Sequence, residues 1–202
     1  PFAGRSPRNL RGPTFGDTLK GHAQRARSVA VAKSDRAAIL MGGHQADGAY
    51  WVGFDGAWTS SRYYLKDGLR PQWLGQINAM RAAQSSKPYQ LHYERAAGGS
   101  GQGPIKASLE TTIGHRDALL TPYADQYTLD VVEAAISAHG LGQDHIPDTL
   151  WVGLSTLDRA GHRTVSNTAM MEALFVHADR SLARLLNHIE HVIPGGLDQV
   201  LV

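Results

Sequence analysis

Asp158 and His162 set a carboxylate and an imidazole four residues apart, with Gly161 between them. If Ser155 to His162 is a loop, that spacing lets both side chains converge on one ion, the glycine allowing the backbone to fold back tightly. Zinc accepts such a mixed oxygen and nitrogen donor set. The competing reading is that Asp158 caps the loop and His162 is a solvated histidine, because a D-x-x-x-H spacing arises often by chance. A second polar cluster, Lys33-Ser34-Asp35-Arg36, carries a guanidinium able to grip two phosphate oxygens at once. Its alternative is a surface arginine paired with Asp35.

The remaining candidates point elsewhere. His188 and His191 lie three apart beside Glu190 and read as a solvated helix face. His44, after Gly42-Gly43, reads as a loop residue. Trp51, Trp58 and the Tyr63-Tyr64 pair read as hairpin packing rather than a stacking platform. Met170 and Met171 belong to a helix core or its margin. No P-loop, no G-x-G-x-x-G at a strand-to-helix turn and no G-x-S-x-G elbow is present.

The elements that must position the two clusters follow from patterning. Thr14 starts a short helix running to about Ala26, with Asp17 three residues on as an imperfect capping box. Ser28 to Lys33 reads as a short buried strand. Tyr50-Trp51-Val52-Gly53-Phe54 pairs with Ala57 to Ser60 across Asp55-Gly56, a hairpin signal. Gly98 to Gly103 is glycine-rich and aperiodic. Residues 37–128 therefore read as an insertion of loops and a small β-structure, between a first part of an α/β core (1–36) and a second part (129–202). In that second part, Leu129, Val132, Ala135 and Ile136 mark one helix face ending near Gly140. Thr149 to Ser155 is a buried strand, and Asn167 to about His191 is a long helix with Leu174, Ala178, Leu182 and Leu185 on one stripe. The apolar Gln199 to Val202 reads as a further strand that the chain leaves unfinished. Strand–helix–strand units of this length favour a mostly parallel sheet with right-handed crossovers. Ligands of such sheets bind beyond the carboxyl ends of strands, so both polar clusters are expected at one sheet edge.

Composition bounds the chemistry further. The 202 residues are 42% hydrophobic and 19% charged, with a formal charge of +2 and no cysteine. That charge demands neither a nucleic acid duplex nor an anionic membrane as partner, and no apolar run reaches the length of a membrane-spanning helix. Thiolate metal sites and disulfides are excluded, so any metal must be held by His, Asp and Glu.

Several stretches together resemble bacterial alkaline phosphatases of the type I phosphodiesterase/nucleotide pyrophosphatase branch. They are Ser6-Pro7-Arg8 through Gly16-Asp17-Thr18-Leu19-Lys20, Ser34 to Leu40 with Gly43-His44, Ala49-Tyr50-Trp51, Trp58-Thr59-Ser60, Thr121-Pro122-Tyr123 and Leu141 to Asp144. Asp158-Arg159-Ala160-Gly161-His162 is similar to that group's D-x-x-G-H metal motif. The resemblance implies a mostly parallel sheet flanked by helices, here incomplete, with two zinc ions at its carboxyl edge. It implies hydrolysis of small-molecule phosphate esters through a Ser or Thr phosphoenzyme, with paired metals stabilising the attacking and leaving oxygens. Asp158 and His162 would then hold one zinc, and Arg36 with Ser34 would lie against the phosphate oxygens.

Departures from the pattern carry expectations of their own. Monoester-specialised relatives often have a lysine where this chain has Ser34, which tilts the expectation towards diesters. The nucleophile and an Asp ligand are expected upstream of Pro1, and an Asp-His pair after Val202. No catalytic nucleophile is thus expected within the chain, at most two zinc ligands are present, and residues 1–202 are expected to be inactive alone. Relatives of this kind are usually exported, which implies a periplasmic or extracellular setting. The rival readings are a sulfatase or phosphoglycerate-mutase branch of the superfamily, and a non-catalytic domain that binds an anion or a partner through Arg36 and the aromatic hairpin. Nothing in the residues fixes an oligomeric state.

Overall fold

A computed structural model describes residues 5–65, 67–97, 103–114, 118, 120–164 and 168–202. The chain divides into two compact units, each assembled from separated segments. One comprises Pro1–Ala79, Thr128–Leu154 and Leu185–Val202; the other comprises Met80–Tyr127 and Ser155–Arg184.

The first unit is built on a four-stranded sheet. Its strands are β1 (Ser28–Ala32), β2 (Gly48–Val52), β3 (Trp58–Thr59) and β6 (Thr149–Gly153), in the order β3-β2-β1-β6. β1 pairs in parallel with β2 and with β6, and β3 is antiparallel to β2. All five residues of β1 are buried, as befits a central parallel strand, whereas β6 at the sheet edge is half-buried. Helix α2 (Asp35–Gly42) links β1 to β2 and lays Ala38 and Ile39 against Ala30, Ala32, Ala49 and Trp51. The small side chains let helix and sheet approach closely: a Cβ on Gly42 would stand 3.3 Å from that of Ala30. The register runs from Ser28↔Thr149 to Ala32↔Gly153. β1 and β6 therefore end side by side, and the chain leaves both at one sheet edge, towards Ser34 and towards Leu154.

Helix α1 (Phe15–His22) starts where Thr14 predicts, with both halves of the capping box formed, and stops four residues sooner than expected. The hairpin across Asp55-Gly56 is present, with Trp51↔Thr59 and Val52↔Trp58 paired. Its first strand belongs to the central sheet, so the expected insertion at 37–128 is corrected: α2, β2, β3 and most of α3 (Gln72–Gln84) lie in the first unit. The physical reason is that β2 completes the ladder of β1, which a peripheral hairpin would leave unpaired.

The second unit is a two-stranded antiparallel sheet of β4 (Pro88–Arg95) and β5 (Ile105–Thr112) with helical cover. Leu91 and Ala107 pack with Ala160 of α5 (Thr156–Thr164) and with Met170, Ala173 and Leu174 of α6 (Thr168–Val192). Burying each large aliphatic side chain there contributes roughly 1.5–3 kcal/mol. The glycine-rich stretch expected at 98–103 falls, except for Gly103, outside the described residues. Helix α4 (Pro122–His139) begins earlier than predicted, with Pro122 at the first helical position.

The strand expected at 199–202 is not formed. Gly196–Gln199 makes a 3-10 turn, Val200 donates its N–H to Leu197, and Leu201 and Val202 are exposed. A strand needs a neighbour's ladder, and among the described residues these four have none.

Candidate functional site

Ser34 follows β1 directly and sits in an extended conformation as the N-cap of α2, its Oγ accepting the Ala37 N–H at 3.2 Å. The sheet ladder continues one step beyond β1, since the Lys33 carbonyl accepts the Val52 N–H at 3.2 Å. Arg36 lies in the first turn of α2 and is exposed. The alternative in which Arg36 pairs with Asp35 is not realised. Consecutive helical residues point apart, and Asp35 is engaged otherwise: Oδ1 accepts the Arg36 backbone N–H at 2.8 Å, and Oδ2 meets Arg5 Nε at 2.8 Å. Among the described residues the Arg36 guanidinium has no partner, so its fork is available to an anion.

Asp158 and His162 were expected on a loop, and this is corrected: both lie on α5. Leu157 and Ala160 alternate with polar residues at helical spacing, and burying that apolar stripe against Leu91, Met170 and Leu174 winds the segment. Gly161 has no positive φ and plays no part in folding the chain back. Convergence survives by another route, because residues four apart share one helix face. Asp158 Oδ1 stands 3.4 Å from His162 Nε2, with side chains 74% and 81% exposed. Carboxylate oxygen and imidazole nitrogen fit zinc chemically, but they are two donors where catalytic zinc uses three protein ligands. Among the described residues no group of three or more His, Asp or Glu could hold a metal. The pair therefore fits as part of a metal site, not as a whole one.

His44 is placed away from Arg36, at the opposite end of α2, where Gly43 (φ +76°) ends the helix. Its Nδ1 lies 3.4 Å from Asp17 Oδ2. Asp17 is buried and also accepts the Thr14 N–H at 2.9 Å and the Gln45 N–H at 2.6 Å. Burial alone would raise its carboxyl pKa, but the N–H donors of Thr14, His44 and Gln45 and the His44 ring hold it below the usual value. A side chain at Gly43 would collide with Thr14 and Asp17. Trp51 and Trp58 are buried, and Tyr64 OH donates to the Gly43 carbonyl at 2.8 Å, so these aromatics pack the hairpin as expected. His188 departs from the solvated reading, since its Nε2 is buried without a hydrogen-bond partner among the described residues. His191 Nδ1 bonds the Asn187 carbonyl at 2.6 Å.

Sequence reasoning missed two polar anchors. Arg5 reaches Asp35 from a segment read only as a loop. In the second unit, Glu172 accepts from Arg95 Nε at 2.5 Å and Tyr93 OH at 2.7 Å, fastening the β4–β5 hairpin to α6. Arg95 first, and then Tyr93, hold the Glu172 carboxyl below its usual range. Both contacts span long sequence separations, and no local motif announces them.

No family model matches the chain. It is 29% identical over 214 aligned residues to alkaline phosphatase PhoV of Synechococcus elongatus, covering 95% of this chain and 38% of the relative. To alkaline phosphatase PhoK of a Sphingomonas species it is 31% identical over 207 residues, covering 98% and 36%. The crystal structure of wild-type alkaline phosphatase PafA superimposes with a TM-score of 0.73 at 27% identity, covering 93% of this chain and 40% of that one. The chain has an alkaline-phosphatase-like fold, mostly parallel in its main sheet and flanked by helices, and it spans about two fifths of the length of the relatives it matches.

Proposed function

We propose that these residues form part of a metal-dependent phosphate-ester hydrolase acting on small-molecule substrates. The observation that carries the reading is the similarity to alkaline phosphatases over nearly the whole chain. The placement of Arg36 agrees with it: a guanidinium with no partner among the described residues stands where the chain leaves a central parallel strand, the usual ligand edge of such sheets. In this reading Arg36 binds two non-bridging phosphate oxygens, and Ser34 holds the first turn of α2 so that Arg36 is presented to solvent. Asp158 and His162 contribute two ligands to one zinc of a pair, completed by residues outside this chain. When bound, such ions supply charge stabilisation for the attacking and leaving oxygens. The nucleophile, a Ser or Thr, also lies outside it, and the setting is periplasmic or extracellular.

Ser34 places no second cation beside Arg36, which suits a singly charged diester better than a doubly charged monoester. The described residues alone bring together too few ligands for tight zinc binding, and residues 1–202 by themselves are inactive in this reading. The test is hydrolysis of nitrophenyl phosphate and bis-nitrophenyl phosphate by a full-length protein carrying these residues. Zinc-dependent turnover of either ester, lost in Arg36→Ala and Asp158→Ala, is the expected result. A stably folded full-length protein that takes up no metal and turns over neither ester would favour a non-catalytic anion-binding domain instead.

A further inference from the structure

Arg5 is distant from Arg36 in sequence yet bound to its neighbour. Its Nε stands 2.8 Å from Asp35 Oδ2, while Asp35 Oδ1 accepts the Arg36 backbone N–H. The same guanidinium lies over the ring of Phe54, 5.9 Å from its centroid. Phe54 is fully exposed near the tip of the β2–β3 hairpin, so this cation–π contact is a weak, solvated one beside the ion pair with Asp35.

Asp35 is a mixed presence at this helix end. A carboxylate in the first turn suits the helix dipole, and it completes the hydrogen bonding of the Arg36 N–H. Beside a guanidinium meant to receive phosphate, however, its charge has the wrong sign. Left alone, Asp35 would cancel much of the attraction that the Arg36 guanidinium exerts on an anion. The cost would be larger for a dianion than for a monoanion.

We propose that Arg5 is a positioning residue of the phosphate site: it neutralises Asp35, so that the first turn of α2 presents net positive charge to the phosphate group. This rests on the reading of Arg36 as a phosphate-binding residue. It assigns Arg5 a role in selecting substrate charge without contact with the substrate.

Inorganic phosphate titrated into the full-length protein at low ionic strength tests it, with binding followed by isothermal calorimetry. Arg36→Ala should abolish the response. Arg5→Ala should weaken binding by about three- to tenfold, the size of one unscreened neighbouring charge in a partly solvated site. That loss should shrink in high salt. Arg5→Ala combined with Asp35→Asn should recover the affinity, and Asp35→Asn alone should tighten it, an outcome independent of whether Arg5→Ala folds well. In the hydrolase assay, Arg5→Ala should raise KM more for the monoester than for the diester. Arg36-dependent phosphate binding that is indifferent to Arg5→Ala, or a loss that persists in the double variant, overturns the proposal while leaving the Arg36 reading intact. Absence of any Arg36-dependent binding in the unaltered protein overturns both.

Discussion

Asp158 and His162 stand one turn apart on the outer face of α5, Oδ1 3.4 Å from Nε2, with both side chains mostly in solvent. An exposed pair of this kind contributes little to stability, so its substitution separates ligand chemistry from folding. Asp158→Ala and His162→Ala should each leave unfolding in urea within about 0.5 kcal/mol of the parent. In the full-length protein each should weaken zinc binding by roughly tenfold or more, since affinity follows ligand count. Competition with a chromophoric chelator measures this. Zinc affinity unchanged in both variants would remove the pair from the metal site.

Ala160 lies on the opposite face of the same helix, buried among Leu91, Ala107, Met170 and Leu174. Ala160→Leu should cost about 1–3 kcal/mol by overpacking. Because it shifts α5 as a body, it should also reduce zinc-dependent turnover in the full-length protein without touching a ligand. Activity that stays at the parent level while stability falls would show that the pair is not positioned through this packing.

Ser34 both caps α2 and stands beside Arg36. Ser34→Ala should lower stability by about 1 kcal/mol through loss of the cap. Ser34→Lys should lose a similar amount and also raise the ratio of monoester to diester turnover, with Ser34→Ala as the control for capping. A ratio in Ser34→Lys equal to that of Ser34→Ala counts against the charge argument for diesters.

Asp17 predicts a pH dependence. Its folded-state pKa is lowered, so the carboxylate binds its proton less readily in the folded chain than in the unfolded one. The stability it contributes is therefore fully present above the unfolded value of about 3.9 and is lost as pH falls through the lower folded value. Asp17→Asn should cost about 1–3 kcal/mol at neutral pH, because the amide turns an N–H group towards backbone N–H donors. It should also flatten the acid limb of a stability–pH curve. An acid limb unchanged in Asp17→Asn would assign that limb to other carboxylates.

The sequence alone determined those elements that rest on local patterns and the residue types able to do chemistry. The Thr14–Asp17 capping box, the buried run of β1, the Asp55-Gly56 turn and the long α6 stripe are local patterns, and each element forms near where its pattern lies. The Asp158–His162 spacing and Arg36 were legible for the same reason. Tertiary structure decided what local patterns cannot carry. The Leu157–Ala160 stripe wound a segment that glycine made look like a loop, because burial against another element outweighs one residue's backbone preference. The parallel pairing of β2 with β1 drew the hairpin into the main sheet, a choice made by hydrogen-bond ladders between distant segments. Asp158 and His162, read first as neighbours on a folded-back loop, remain neighbours only because helical periodicity returns every fourth residue to one face. The pairing of Arg5 with Asp35, which leaves Arg36 open, joins residues thirty positions apart and exists only in the folded chain.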